Sequence, residues 1–297
     1  MRPSISALLK ACQNLDPPTR RQKAISPKLL RAMYTLSGTG GQITSDLPAA
    51  IVTELAIMAY FYAMRSCEFT TTPTPGRTKI IQLNGVTFRD RGNQILRHDS
   101  PLLHRAHRVT ITFANQKNGM KQDRRTHQST GDQIMCPVVR LASLVRRILR
   151  TVPNCGGSTP INSYQTLSGT KQITSEFLRQ ALRTSCTLGG GEPAFGFTAA
   201  DIGTRSIRSG AAMALFLMNH SVAKIMILGR WSSDAFLVYL RPQVMEWTNK
   251  SSDMLRNESF FDATDAHKAL TSDPKMRQSQ RFNAGAIISQ HKINPHS

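Results

Sequence analysis

One apolar stretch limits the folds open to this chain more than any other feature of its sequence. Pro48–Met64 contains a single charged residue, Glu54, in its interior. That charge makes the stretch marginal as a membrane span, whereas its large apolar side chains recur at the spacing of one helix face. We therefore predict a helix over 47–64 that lies in a globular core, with Ile51, Leu55, Met58 and Tyr62 facing inward.

An arginine follows this helix close to its predicted buried face. Arg65 comes 14 residues after Ile51, so a continued helix would place both side chains near one another. A charge at such a place needs a partner. Glu68, three residues further on, can supply it through a salt bridge, and that pairing suits a structural role and a functional role equally.

The charge of the chain points to a polyanionic partner. Its 297 residues include 38 Lys+Arg and 18 Asp+Glu, a net charge of +20. The surplus is spread along the chain, with clusters at 105–108, 121–125 and 140–150. A surface of this kind binds nucleic acid by releasing counterions from phosphates, whereas proteins that bind acidic lipids usually concentrate their charge. We expect a nucleic-acid partner and no membrane.

Cysteine usage and the N-terminus indicate a reducing compartment. The chain has five cysteines, an odd number, and no Cys-x-x-Cys pair. This argues against a disulfide framework or a zinc site. Met1–Leu15 lacks the sustained apolar core of a signal peptide. We expect a nuclear protein, or a cytoplasmic one in a prokaryote, that is not secreted.

The periodicity along the chain predicts a mainly α fold with a small antiparallel β-sheet, an α+β protein. The segments at 79–88 and 109–113 are strand-like and place the sheet near 79–115. Asn118-Gly119 is a strong hairpin signal. Thr204 is the predicted cap of one helix and Gly229 the predicted stop of another. The predicted helices span 27–36, 47–64, 136–150, 174–186, 204–218, 221–228 and 233–241.

The segment from 204 to 239 carries the strongest chemical signal. Arg205 and Arg208 lie three apart at a helix start, where the helix dipole disfavours cations unless an anion binds. Free backbone N–H groups would then join both guanidinium groups on that anion. Tyr239 follows Arg208 by 31 residues, a connection short enough to fold it back over the arginine. An isolated tyrosine of this kind belongs to the core, but a phenol beside cations can attack a phosphate.

Lys117 adds a further candidate at the tip of the predicted hairpin. A lysine at such a position is either solvated or a general acid that protonates a leaving oxygen. Together with Arg65, Arg205, Arg208 and Tyr239 it forms a set suited to breaking and rejoining a phosphodiester.

These residues resemble the motifs of the tyrosine recombinases, the phage-integrase family, and in particular the copies carried by eukaryotic mobile elements. The resemblance covers roughly residues 27–250. The family's first arginine and following acid match Arg65 and Glu68, its hairpin lysine matches Lys117, its His-x-x-Arg box matches Arg205-Ser206-Ile207-Arg208, its Gly-His or Gly-Trp box matches Gly229-Arg230-Trp231, and its nucleophile matches Tyr239.

The resemblance implies strand exchange or integration on double-stranded DNA. Arg65 and Arg208, helped by Arg205, would hold the scissile phosphate. Tyr239 would form a 3′-phosphotyrosyl bond, and Lys117 would protonate the departing 5′ oxygen. Because the ester conserves the bond energy, no cofactor, ATP or metal is implied. Family members act as tetramers on paired sites, which implies a homotetramer.

Two boxes depart from the family pattern. Arg205 stands where the first has histidine, and an arginine does not exchange a proton near neutral pH. Arg230 stands where many members have histidine in the second, with Trp231 one place later. Either residue could supply the usual contact, Arg230 by a hydrogen bond or Trp231 by its indole N–H and packing.

The resemblance also divides the chain and leaves other functions open. We expect residues 1–25 to be an N-terminal tail, a remnant of the family's core-binding domain. Residues 26–250 would form the catalytic domain, and residues 251–297 would form a flexible C-terminal tail. One alternative is a catalytically degenerate, mobile-element-derived protein that only binds DNA. Others are a nicking-closing enzyme of the type IB topoisomerase kind and, last, a basic RNA-binding protein.

Overall fold

The computed structural model describes residues 22–38, 48–73, 78–115, 121–231 and 237. Helices predominate in this part of the chain, and the strands form a small antiparallel sheet and a separate hairpin, so the predicted fold class is confirmed. The helices are α1 (Pro27–Leu36), α2 (Pro48–Phe61), α3 (Pro137–Thr151), α4 (Ser175–Leu188), α5 (Gly191–Phe195), α6 (Thr204–Leu217) and α7 (Val222–Gly229). The strands are β1 (Val86–Arg89), β2 (Ile95–Leu96), β3 (Arg108–Asn115), β4 (Lys121–Gln128), β5 (Ser163–Thr166) and β6 (Gly169–Gln172).

The apolar stretch forms the central helix, as predicted. Every residue of α2 from Ala50 to Tyr60 is buried, because its apolar side chains surround the helix and the helices α1, α3, α4 and α6 pack against it. Within the described ranges, no helix is long and apolar enough to cross a bilayer. The helix ends at Phe61, three residues earlier than predicted, and Ala63 then takes a positive φ of 45°. Arg65 therefore follows a turn and does not continue the helix face.

Glu54 is buried within α2 and has a partner on α3. Its Oε1 accepts hydrogen bonds from Ser143 Oγ at 2.5 Å and from Arg147 Nη2 at 3.3 Å. Burial raises the pKa of Glu54, and the nearby Arg147 acts in the opposite direction. The pair connects the two helices without exposing either charge, which explains how one acid is tolerated inside the apolar stretch.

The main sheet has the order β2-β1-β3-β4, with every pair antiparallel. The predicted position near 79–115 was too early, because residues 79–85 form an irregular segment and a 3₁₀ turn and β4 extends the sheet to Gln128. β4 carries polar residues on both faces and so lacks the apolar alternation that marks a strand. The predicted hairpin is confirmed through the pairing of Asn115 with Lys121, whereas Asn118-Gly119 lies outside the described residues.

Two predicted helix boundaries were wrong for local reasons. The N-cap of α6 is Gly203, whose N–H donates to Ser206 Oγ at 3.0 Å, and Thr204 already belongs to the helix. Helix α7 includes Gly229, and Arg230 follows it in the left-handed conformation, with φ 59° and ψ 42°. Gly229 is required for space, because a Cβ there would overlap the ring of Trp231.

A short segment before α1 packs against α6. The N–H of Lys23 donates to Asp201 O at 2.8 Å, and the N–H of Ile25 donates to Ser206 O at 3.2 Å. Ile25 is buried, and its carbonyl occupies the place that a Cβ on Gly210 would need. The packed region therefore begins before Ser26, within the segment that the sequence assigned to the tail.

Candidate functional site

Three arginines from distant parts of the chain meet at the turn that follows α2. Arg65 lies just after that turn, Arg208 lies on α6, and Arg230 caps α7. Arg208 donates from Nη1 to Ala63 O at 2.9 Å and from Nη2 to Gly229 O at 2.7 Å. Arg230 Nη2 also reaches Ala63 O, at 3.3 Å. The carbonyl of Ala63 thus connects two of the arginines, and we call the set Arg65, Arg208 and Arg230 the arginine cluster.

Glu68 is the acid at the centre of the cluster. Its side chain is buried, and it accepts from the backbone N–H of Arg65 at 2.8 Å and from Arg65 Nη1 at 3.2 Å. Arg230 approaches the same carboxylate with Nη2 at 2.9 Å from Oε2 and Nη1 at 3.3 Å from Oε1. The predicted salt bridge between Arg65 and Glu68 is confirmed. Arg230 is a second partner that the sequence did not predict.

The side chain of Arg230 points into the protein. It has no exposed surface, and its guanidinium carbon lies 3.7 Å from the ring centroid of Phe113 on β3. Burial lowers the pKa of Arg230, and the carboxylate of Glu68 opposes that effect. An arginine is a costly residue to bury, so the carboxylate, the carbonyls and the aromatic ring together must replace its water.

Trp231 lies beside Arg208 and is only partly buried. The guanidinium carbon of Arg208 is 4.3 Å from its ring centroid, in a cation–π arrangement. The backbone N–H of Trp231 donates to Met226 O at 3.0 Å, which fixes the backbone after α7. Of the two residues left open in the second box, Arg230 is buried with Glu68, and Trp231 is the one that retains exposed surface.

Arg205 is exposed at the start of α6, one turn before Arg208. Its backbone N–H donates to the side-chain oxygen of Gln22 at 3.1 Å. The expectation that free N–H groups at this helix start would join an anion is therefore wrong for Arg205. The segment before α1 satisfies that amide.

Lys117 and Tyr239 lie outside the described residues. The structure does describe where their neighbours are anchored. Asn115, the last residue of β3, is two positions beyond Phe113, and the ring of Phe113 contacts the guanidinium of Arg230. Trp231 stacks on Arg208 eight residues before Tyr239.

Sequence reasoning missed Phe113 and the two carbonyl acceptors of the cluster. The alternation of Val109, Ile111 and Phe113 did indicate an inward face of β3, and that face is buried. Nothing in the pattern showed that a guanidinium would cover the last ring. The carbonyls of Ala63 and Gly229 leave no signal in side-chain chemistry, because each depends on how a helix ends.

Comparison with known proteins adds a limited structural likeness. No protein-family model matches the chain, and no curated protein gives a significant match. The chain is similar to the Tn1549 transposon integrase in complex with transposon right end DNA, with a TM-score of 0.42 and 11% identity over 81% of this chain and 75% of that chain. A second structure of that integrase, with a circular intermediate DNA, gives a TM-score of 0.40 and 12% identity over 79% and 71%.

Proposed function

We propose that this chain binds double-stranded DNA and cuts and rejoins it through a 3′-phosphotyrosyl intermediate, as a tyrosine recombinase. One observation supports this above the others. Arg65, Arg208 and Trp231 come from three separate segments, and one hydrogen-bond and stacking network brings them together. These are the segments that carry the resemblance in sequence, and their meeting in space was not implied by their spacing alone.

The arginines that keep exposed surface are suited to holding a phosphate. The side chain of Arg65 is 23% exposed, Arg208 is half-buried and Arg205 is exposed. Glu68 is the one acid bonded to the three arginines of the cluster, so the cluster keeps a net positive charge that can attract an incoming phosphate. Negative charge on the phosphate oxygens grows in the transition state, so fixed cations there lower the barrier.

Arg230 acts in this proposal as a positioning residue. Its buried guanidinium holds Glu68 and the carbonyls of Tyr62 and Ala63, and thereby the turn that presents Arg65. Its own backbone carbonyl accepts from Arg65 Nη2 at 3.4 Å. The ring of Trp231 packs against the guanidinium of Arg208 and restricts its movement. Rigid arginines are worth more than mobile ones because their orientation is fixed before the substrate binds.

Tyr239 and Lys117 would carry out the covalent step. The phenolic oxygen of Tyr239 attacks phosphorus as its own proton passes to solvent, and the bond from phosphorus to the 5′ oxygen breaks. Lys117 gives that oxygen a proton. Lys117 lies four positions after Phe113, a reach of at most ~14 Å, and Tyr239 lies eight positions after Trp231, a reach of at most ~28 Å. Attack by a 5′ hydroxyl reverses the step, and a homotetramer on paired sites would exchange strands.

Covalent trapping tests this function. The protein is incubated with nicked duplexes whose 5′ product cannot return, then denatured and examined for a protein–DNA adduct. We expect an adduct with the natural chain, none with Tyr239→Phe, and at least a hundredfold less with Arg208→Ala, the order of loss expected for a stabilising donor. Arg179→Ala is the matched control, because Arg179 pairs with Glu176 on the surface of α4.

Two results would overturn the proposed chemistry. Binding to DNA without an adduct would identify a protein that only binds, and an adduct that persists in Tyr239→Phe would assign another nucleophile. Supercoil relaxation by a monomer without recombinant products would identify a nicking-closing enzyme.

A further inference from the structure

The outer face of the main sheet forms a groove that is separate from the arginine cluster. Successive residues of a strand point to opposite faces. On β3, Phe113 points inward to Arg230, so Thr112 and Thr110 point outward on the far side of the sheet. The groove encloses about 670 Å³. Its walls are residues of β1, β2, β3 and β4 and of the segment 79–85 that precedes β1.

The lining of this groove has one sign of charge. It includes three cations, Lys79, Arg89 and Arg124, and no acidic residue among the described residues that form it. The one acid of β4, Asp123, belongs to the opposite face, where it pairs with Arg125 at 3.1 Å. A concave surface lined by like charges focuses the field and attracts a polyanion.

The neutral residues of the groove are also suited to phosphate and sugar oxygens. Threonine hydroxyls line the floor on three strands, and those of Thr110 and Thr126 lie 2.8 Å apart in a hydrogen bond. Arg89 is held in place by a hydrogen bond from Nη1 to Asn93 O at 2.8 Å. Hydroxyl, amide and guanidinium groups are the donors that proteins direct to the nucleic-acid backbone, where they set position without reading sequence.

We propose that this groove binds the sugar–phosphate backbone of a second stretch of DNA, apart from the one at the arginine cluster. The proposal rests on the function proposed above, since it assumes that DNA is the substrate. The sheet separates the groove from the cluster, so a strand in the groove contacts the protein without approaching Arg208. This second contact contributes affinity and salt dependence and takes no part in the chemistry.

The test removes two charges from the groove and compares two charges removed elsewhere. The groove variant is Lys79→Gln with Arg124→Gln, and Arg89 is kept because it bonds to Asn93. The control variant is Arg105→Gln with Lys171→Gln, at exposed positions outside the groove. Affinity for a long duplex is measured by fluorescence anisotropy between 50 and 200 mM salt.

The slope of log affinity against log salt gives the answer. Two lost phosphate contacts lower its magnitude by about 1.8, so the natural chain loses about tenfold more affinity than the groove variant over this range. The control variant keeps the natural slope. Thr112→Glu, which places an acid on the floor, weakens binding at low salt.

Each outcome decides between the two proposals. Equal slopes in the groove and control variants overturn the groove, even where DNA binding and the covalent adduct persist. Failure of the natural chain to bind DNA overturns the proposed function and the groove together. Loss of the adduct in the groove variant at saturating DNA also contradicts the groove as a separate contact, because it would then belong to the reacting site.

Discussion

At the scale of single residues, the arginine cluster depends on one buried carboxylate. Glu68 receives hydrogen bonds from two guanidinium groups and one backbone amide, and its side chain is only 1% exposed. Arg230 has no exposed surface and so cannot regain water when its partner is lost. The intact ion pairs therefore add little net stability, whereas removing one partner destabilises the folded protein strongly.

Glu68→Gln should destabilise the protein by about 3 kcal/mol, because it leaves the charge of Arg230 buried without a counter-charge. Urea unfolding at neutral pH measures the change. The matched control is Glu176→Gln, which removes an exposed carboxylate from its pair with Arg179 and should leave the urea midpoint unchanged. An unchanged midpoint in Glu68→Gln would show that the cluster tolerates an unpaired guanidinium and that its ion pairs are not structural.

The sequence predicts one of the two ion pairs of Glu68 and not the other. The spacing of Arg65 and Glu68 predicted their ion pair, since three residues along a short helical turn bring side chains together. It did not predict the partnership of Glu68 with Arg230, 162 positions away. Such a pair depends on the course of the whole chain, and no local pattern records it.

At the scale of elements, the end of α2 is held against the sheet by an aromatic contact. Tyr62 donates its hydroxyl proton to Val109 O at 2.9 Å, and its ring lies edge-on to His127 with centroids 4.5 Å apart. His127 belongs to β4, the second strand of the predicted hairpin, whose length the sequence did not indicate. Its inward face is filled by Asp123, Arg125 and His127 in place of aliphatic side chains, so the strand lacks an apolar alternation.

His127 should make the stability of the protein depend on pH. Burial lowers its pKa below the ordinary value of about 6.5. The unfolded chain then binds a proton more readily than the folded one, so stability rises with pH up to about 6.5 and falls as the solution becomes more acidic. His127→Gln should remove that part of the slope, which is at most 1.36 kcal/mol per pH unit.

Urea midpoints from pH 5 to pH 8 measure this effect in both proteins. The two curves should run parallel above pH 7.5, where the imidazole is neutral in either state, and diverge below pH 6.5. Parallel curves throughout would mean that His127 is solvated and that β4 does not seal the end of α2.

At the scale of the whole molecule, the position of α6 links the N-terminal segment to the arginine cluster. Residues 22–25 lie along the start of α6, and Gln22 accepts from the N–H of Arg205 at 3.1 Å. The same helix carries Arg208 to the cluster. The polar composition of residues 1–25 suggested a tail, because two buried residues, Ala24 and Ile25, are too few to form a periodic pattern.

Removing this segment should therefore cost stability. A chain that begins at Ser26 loses the backbone hydrogen bonds of Lys23 and Ile25 and the burial of the Ile25 side chain, which is 2% exposed. Burying one isoleucine contributes about 1.5–3 kcal/mol, and we expect a loss of about 3 kcal/mol in urea unfolding. The reference is a chain that begins at Gln22, which keeps every one of these contacts.

The two truncations also separate packing from function. Because Gln22 and Ile25 hold the start of α6, which carries Arg208, the shorter chain should form less covalent adduct than the chain that begins at Gln22. The amount of adduct is measured at a temperature where both chains are folded. Ile25→Ala in the full chain should reproduce much of the loss of stability, at about 2–3 kcal/mol, because it leaves a cavity against α6. Equal unfolding curves for the two truncated chains would contradict a stabilising role of residues 22–25 and would show that they belong to the tail.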